Sequence, residues 1–234
     1  MNTYKYLLHH LYYYKSDICQ FILKPTHDAI AIEAGQYVLF HLPCGINAPF
    51  SIAGFQHHHL EFHVRINEAN IFIQEFLTHL QQVESIEISG PYGKCVLPQN
   101  KHIPLIFAAG GTGIAPHKAL IDEALKSNYA SIRLYWGIKT LNDLYLKSWL
   151  QRCESFENFQ ATVVLSEVPE DGLFERGLVH HYVLQEPKLS QGVLYASGPF
   201  AMIKALQLGS QQLGLKNIHV KSDMLNFNSD EPTS

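Results

Sequence analysis

From Tyr4 to about Gly93 the chain carries short runs of β-branched and aromatic residues, separated by breaks of Asp, Gly, Pro or His. Residues 4–14, 19–23, 36–42, 50–55, 60–66 and 85–89 read as strands on this pattern. Many short strands with regular breaks predict a small antiparallel β-barrel. One stretch departs from that rhythm. Ile73, Phe76, Leu77 and Leu80 recur at i, i+3, i+4 and i+7, which predicts one apolar face of a helix over about 70–80.

After Pro98 the rhythm changes to strands alternating with helices, the pattern of a parallel sheet with crossover helices. Strands are expected over 103–109, 132–137, 161–165, 193–196 and 218–221, and helices over 116–126, 142–153, 178–184 and 200–213. The polar stretch 99–102 lies between Pro98 and Pro104, so the division falls there. A barrel over 1–98 and an α/β domain over 99–234 are the two expected parts.

The apolar run ending at Ala109 is followed by Gly110, Gly111, Thr112 and Gly113, then Pro116. A strand, a glycine turn and a helix start, with proline in its first turn, aim backbone N–H groups and the positive helix end at one point. That point suits a phosphate. The spacing matches neither G-x-G-x-x-G nor G-x-x-x-x-G-K-[ST], so a purely structural turn stands beside the anion-binding reading. The segment Ser197-Gly198-Pro199-Phe200-Ala201-Met202 repeats the device. Two such turns at the ends of parallel strands would converge on one crevice.

Composition narrows the classes further. The 234 residues are 47% apolar and 16% charged, with a net charge of −4. These values describe a soluble globular protein and set aside a strongly basic nucleic-acid binder. No run approaches the ~18 apolar residues of a membrane span, and the first residues lack the long apolar segment of a signal peptide; a cytoplasmic protein is expected. Cys19, Cys44, Cys95 and Cys153 are far apart and form no C-x-x-C pair, which argues against a cysteine-held zinc or iron–sulfur site. The triplet His57, His58 and His59 lies between two expected strands and reads as a hairpin turn, with no metal.

Four segments in order carry a resemblance: Ala48-Pro-Phe-Ser-Ile-Ala53, Gly90-Pro-Tyr-Gly93, the glycine turn, and Ser197 to Met202. Gly35-Gln-Tyr37, Tyr135-Trp-Gly137 and Asp143-Leu-Tyr145 fall at fitting intervals. Over about 35–227 the chain resembles the ferredoxin–NADP reductase superfamily, and within it the bacterial NAD(P)H:flavin oxidoreductases. The resemblance implies an oxidoreductase with flavin (FMN, FAD or riboflavin) on the barrel and NADH or NADPH on the α/β domain. Hydride would pass from nucleotide to flavin, and reduced flavin would leave or its electrons would pass to a protein acceptor. Pro49, Phe50, Ser51, Ile52, His63, Val64, Arg65, Thr112 and Phe227 would then meet the flavin. Gly110, Gly111, Thr112, Gly113, Ile114, Pro116, Gly137, Ser197, Gly198, Pro199 and Met202 would meet the nucleotide. Ser51 would orient the flavin and Ser197 the nicotinamide, while Phe227 would shield the cleft. No nucleic-acid or membrane partner is implied.

Three positions depart from the family pattern. Relatives place an Arg before the Pro-x-Ser segment to bind the flavin phosphate, where this chain has Ala48. Losing a charge-assisted contact costs on the order of 1.5–3 kcal/mol, or roughly ten- to over a hundredfold in affinity. A diffusible flavin is therefore expected, unless Arg65 or Lys94 supplies the charge; Arg65 reads first as a solvated strand residue and second as a flavin or nucleotide contact. Many relatives carry Cys where Ser197 stands, which puts the rate in question. Glu167 after the third α/β strand disfavours a 2′-phosphate and leans the nucleotide toward NADH, with Lys139 and Arg176 as nearby cations. Asp143 reads either as a helix start or as a ribose contact. Two other readings stay open: a flavin-retaining reductase component serving a partner oxygenase or iron protein, and a non-catalytic flavin- or nucleotide-binding regulatory subunit.

Overall fold

A computed structural model describes residues 2–14, 17–42, 45–66, 71–167, 174–215 and 220–221. Phe227, Cys44, Asn70 and the first half of the expected strand 218–221 lie outside the described residues.

Seven antiparallel strands form the first unit: β1 (Thr3–Tyr14), β2 (Ile18–Pro25), β3 (Tyr37–His41), β4 (Asn47–Ser51), β5 (Gly54–Gln56), β6 (His59–Arg65) and β7 (Ile86–Tyr92), in the order β4-β3-β7-β1-β2-β6-β5. The single strand expected over 50–55 is two strands. Ile52 N donates to Gln36 O at 3.2 Å beside β3, whereas Ala53 N donates to Glu61 O at 2.8 Å in β6. Within two residues the chain thus changes sheet edge, and this switch curls the sheet toward a barrel. Ser51 is the last residue before it.

Alternation along the strands sends Phe21, Phe40, Phe50 and Phe62 inward, and α1 (Ile71–Gln82) closes the barrel with Phe76, Leu77 and Leu80. Phe76 stacks on Phe50 with ring centroids 4.7 Å apart. The histidine triplet makes a tight turn as expected: His57 and His58 take φ of 49° and 66° between β5 and β6, the left-handed pair that a two-residue hairpin requires.

The second unit is a parallel sheet of β8 (Leu105–Gly110), β9 (Ile132–Ile138), β10 (Phe159–Leu165), β11 (Glu175–Arg176), β12 (Val193–Ser197) and β13 (Val220–Lys221), ordered β11-β10-β9-β8-β12-β13. β8 is central, which explains its unbroken apolar run. Leu105, Phe107 and Ala109 pack in one core with α2 (Ile114–Lys126) and α3 (Lys147–Glu154). Ile106 and Ala108 pack on the other face with α4 (Val179–Val183) and α5 (Phe200–Gln212). The order reverses between β8 and β12, so their C-terminal ends flank the crevice where such sheets bind ligands.

The helix expected over 142–153 is shorter. Thr140 and Asp143 form a capping box that closes one 3-10 turn, Leu141–Asp143, and Leu144 leaves helical angles with ψ 57°. The α-helix begins only at Lys147.

His117 on α2 is 2% exposed, and its Nδ1 has no hydrogen-bond partner among the described residues. Burial holds its pKa down to about 3. Between that value and the ordinary ~6.5, the unfolded chain binds a proton that the folded one refuses, so stability falls as pH drops through this window. His117→Leu is expected to remove that dependence, gaining about 2 kcal/mol over the native chain at pH 5 relative to the difference at neutral pH. Urea midpoints at both pH values measure it; parallel pH profiles of the two proteins would refute it.

Candidate functional site

A cleft of about 1310 Å³ runs between the two units. That is larger than the ~300–1,000 Å³ of ordinary small-molecule pockets. Its barrel wall holds Pro49, Phe50 and Ser51 at the end of β4, with His63 and Arg65 of β6. The facing wall holds Gly110, Gly111, Thr112, Gly113 and Pro116 at the start of α2, Gly137 at the end of β9, and Ser197, Gly198, Pro199 and Met202 at the start of α5. Most residues singled out in the sequence therefore share one space.

Three do not face it. Ile52 and Val64 point into the barrel core, at 0% and 6% exposure, and Ile114 is fully buried in the α/β core. Strand alternation turns Val64 away from the face that carries His63 and Arg65. Phe50 does both jobs weighed for it, packing on Phe40 and Phe76 while lining the cleft. The sequence reading missed Ala115, Leu178, Val179, His180, Phe200 and Ala201, which also line it. Leu178 and Phe200 are exposed apolar residues, at 53% and 45%, and only the fold brings them to the rim.

The glycines do more than admit an anion. A Cβ on Gly113 would fall on the Ser197 carbonyl and lie 2.7 Å from Gly198 N. One on Gly110 would lie 2.6 Å from Pro199 Cδ, and one on Gly198 within 2.9 Å of Gly110 backbone atoms. Adjacent strands β8 and β12, paired at Ala109 and Ser197, thus press their two turns together backbone to backbone. Gly111 alone of these opens toward the cleft; it takes φ +55°, and its nearest neighbour to an added Cβ is Arg65 Nη2 at 3.8 Å. Trp136 Nε1 donates to Gly111 O at 2.9 Å and fixes the turn from below.

Helices α2 and α5 both start at the cleft without a side-chain cap. Each leaves first-turn N–H groups and a positive helix end for an anion. The hydroxyls of Ser51, Thr112 and Ser197 have no protein partner among the described residues. A wall of two bare helix starts facing a wall of aromatic, proline and serine suits an anionic dinucleotide laid against a planar ring.

Asp143 opens a helical turn, as its helix-start reading expected, and it also binds the one arginine of the barrel wall singled out in the sequence. Arg65 Nη2 donates to Asp143 Oδ1 at 2.8 Å, so Arg65 is neither simply solvated nor an uncommitted phosphate ligand. Asp143 caps its own turn through Thr140 N at 3.1 Å. Burial opposes its ionisation, but the hydrogen bonds from Arg65 and Thr140 prevail and hold its pKa below the ordinary value. His63 lines the cleft, yet both ring nitrogens are engaged: Nε2 with Glu61 at 2.7 Å and Nδ1 with Tyr145 Oη at 2.9 Å. Burial lowers its pKa, against the opposing pull of the Glu61 carboxylate. Burial works against the Glu61 carboxylate too, but His63 and Lys118 outweigh it and bring its pKa to about 2.

Ala48, the position at which the family resemblance leads one to expect Arg, is 4% exposed and packs in the barrel core. An arginine there would start from inside the barrel, not from the cleft wall. Lys94 does not line the cleft, whereas Lys139 and Ser166 do. Lys139 Nζ lies 4.0 Å from Glu167 Oε1, both well exposed. Among the described residues no group of three or more His, Cys, Asp or Glu could hold a metal, and no helix is long and apolar enough to cross a membrane.

Residues 107–208 match the oxidoreductase NAD-binding domain family. An NAD(P)H-flavin reductase of Vibrio harveyi is 30% identical over 196 residues, which are 80% of this chain and 82% of the relative. The reductase component 1 of a terephthalate 1,2-dioxygenase from Comamonas is 30% identical over 210 residues, 83% of this chain and 60% of that protein. The chain thus spans about 60% of the length of such dioxygenase reductase components. Its backbone superposes on a cytochrome P450 reductase of Amycolatopsis with a TM-score of 0.82 at 23% identity, covering 94% of this chain and 68% of that one. The cytochrome b5 reductase domain of Ulva prolifera nitrate reductase gives 0.76 at 18% identity, with 94% and 96% covered. With the motif order, the two-unit fold and the shared cleft, these likenesses mean that the chain belongs to the ferredoxin–NADP reductase family, among whose members are the NAD(P)H-flavin reductases.

Proposed function

We propose that this chain transfers a hydride from a reduced nicotinamide nucleotide to a flavin. The observation that carries it is one cleft with Ser51 on the barrel wall and two mutually packed glycine turns on the other. The barrel part, 1–98, holds the flavin and the α/β part, 99–234, the nucleotide. When bound, the nicotinamide supplies the hydride and the flavin ring accepts it.

The protein's own share is placement. Turn N–H groups at the starts of α2 and α5 bind the pyrophosphate. Pro49 and Phe50 wall the ring. The Ser51 hydroxyl can donate to or accept from a flavin ring nitrogen, so it serves both redox states. Ser197 and Thr112 guide the nicotinamide side. Holding the reacting atoms ~3–3.5 Å apart supplies most of the acceleration, and no general base is required.

Flavin is used here as a diffusible substrate. Among the described residues of that wall, Ala48 packs in the barrel core and Arg65 is held by Asp143, which favours a loosely bound flavin. NADH is preferred to NADPH because Glu167 repels a 2′-phosphate, though its pairing with Lys139 keeps the preference modest. A second reading, electron delivery to a partner oxygenase, draws on the likeness to dioxygenase reductase components.

The test is loss of NADH absorbance with purified protein, without flavin and then with riboflavin, FMN or FAD, repeated with NADPH. Rapid loss only on adding flavin, riboflavin included, supports the lead. Protein that stays yellow through gel filtration and needs a protein acceptor supports the second reading, and no loss under any combination sinks hydride transfer. Ser51→Ala is expected to lower turnover by ~10- to 100-fold, about 1.4–2.7 kcal/mol, while the KM for NADH changes far less. Wild-type turnover in this variant would remove Ser51 from the mechanism.

A further inference from the structure

The outward face of β6 carries Glu61, His63 and Arg65 at alternate positions. Each reaches a different side chain of the α/β unit. Glu61 Oε2 pairs with Lys118 Nζ of α2 at 3.1 Å, His63 Nδ1 with Tyr145 Oη at 2.9 Å, and Arg65 Nη2 with Asp143 Oδ1 at 2.8 Å. A period of two on one strand thus makes three rungs across the seam between the units.

The rungs differ in exposure and in what they hold. Lys118 and Glu61 are 12% and 18% exposed, and the His63 side chain is fully buried. Arg65, at 36%, stands at the cleft edge. Glu61 is the hub, since its carboxylate also accepts from Gln20 Nε2 at 2.8 Å and from His63 Nε2 at 2.7 Å. Lys118 in turn reaches Asp122 at 3.3 Å and the Ala53 carbonyl at 3.4 Å. Ala53 lies two residues after Ser51, and Lys118 two residues after Pro116 in the first turn of α2. The Glu61–Lys118 contact therefore ties the strand switch behind Ser51 to the helix that starts at the glycine turn. Neither residue lines the cleft.

We propose that the Glu61–Lys118 pair, with the His63–Tyr145 and Arg65–Asp143 rungs beside it, is an inter-domain clasp that sets the distance between the two walls of the cleft. Its members are positioning residues. For the rate effect the proposal rests on the hydride-transfer reading; the clasp itself does not. A misplacement of about 1 Å between reacting groups costs on the order of a hundredfold in rate, whereas each ligand still finds its own intact wall.

The pair is best tested by removing it whole. Losing one partner strands a buried charge, while replacing both is often neutral for stability. The double variant Glu61→Gln, Lys118→Met is expected to fold, to bind NADH and riboflavin within about twofold of the native dissociation constants, and to lose ~10- to 100-fold in kcat. Hydrogen exchange should quicken in peptides covering β6 and residues 141–146 and stay unchanged in β8 and β9. Unchanged exchange along the seam would overturn the clasp. Faster exchange with native kcat, or a rate loss matched by an equal loss of NADH affinity, would overturn its positioning role. A native protein that reduces no flavin would defeat the hydride-transfer reading instead, and the exchange result would still decide the clasp. If the double variant does not fold, Lys118→Arg, which keeps both charges but moves the contact, is judged by the same exchange and kcat criteria.

Discussion

Gly113→Ala is expected to cost at least about 3 kcal/mol, at the upper end for overpacking a rigid site, and to remove most turnover with it. The backbone at Gly113 has φ −59° and lies at the start of α2, so alanine suits it conformationally and would ordinarily strengthen a helix. The obstacle is tertiary. The added methyl would fall on the Ser197 carbonyl and close to Gly198 N, and neither backbone can yield without parting β12 from β8. Against a total stability of ~5–15 kcal/mol for a typical protein, that is a large fraction. Gly111→Ala provides the contrast. Its φ of +55° costs about 1–2 kcal/mol, yet the nearest atom to the new methyl is 3.8 Å away. Urea unfolding of both variants ranks them. If Gly113→Ala is no less stable than Gly111→Ala, the two turns do not pack as described.

Phe76→Ala is expected to cost about 3–5 kcal/mol. The ring is 1% exposed and meets Phe50, Phe40 and Phe21 at centroid distances of 4.7, 5.2 and 5.7 Å. Four inward strand residues and one helix residue make this aromatic core, and Phe76 is the piece that α1 supplies. Truncating it leaves a cavity directly behind Phe50, the neighbour of Ser51 on the cleft wall. Stability loss and weakened riboflavin binding are therefore expected together, from a residue that does not line the cleft. Leu80→Ala lies farther along the same helix face and should lower stability with little effect on binding. A loss below about 1 kcal/mol in Phe76→Ala, too small for a closely packed core ring, would contradict the packing.

Local patterns made much of this protein legible. The helix that closes the barrel was readable because burying one face demands the i, i+3, i+4, i+7 spacing of Ile73, Phe76, Leu77 and Leu80. The central strand β8 was readable because covering both faces leaves no polar position from Leu105 to Ala109. The glycine turn and its repeat at Ser197 were visible as chemistry for the same reason: special backbone geometry restricts residue choice.

What remained hidden depends on partners distant in the chain. No local rule says that the run 50–55 must break, because the break comes from Ile52 and Ala53 bonding to Gln36 and Glu61 on different strands. Nor does any local rule point Ala48, Ile52 and Val64 inward, join Arg65 to Asp143 across 78 positions, or gather Leu178 and Phe200 at one rim. Side-chain types and their periods, set by the steric and hydrophobic demands of each element alone, determined the elements, the two-part plan and the chemistry on offer. Only the tertiary structure decided which glycines make room for a neighbouring turn, which charges neutralise one another and which residues share the cleft, since these depend on distances between segments that a linear pattern does not encode.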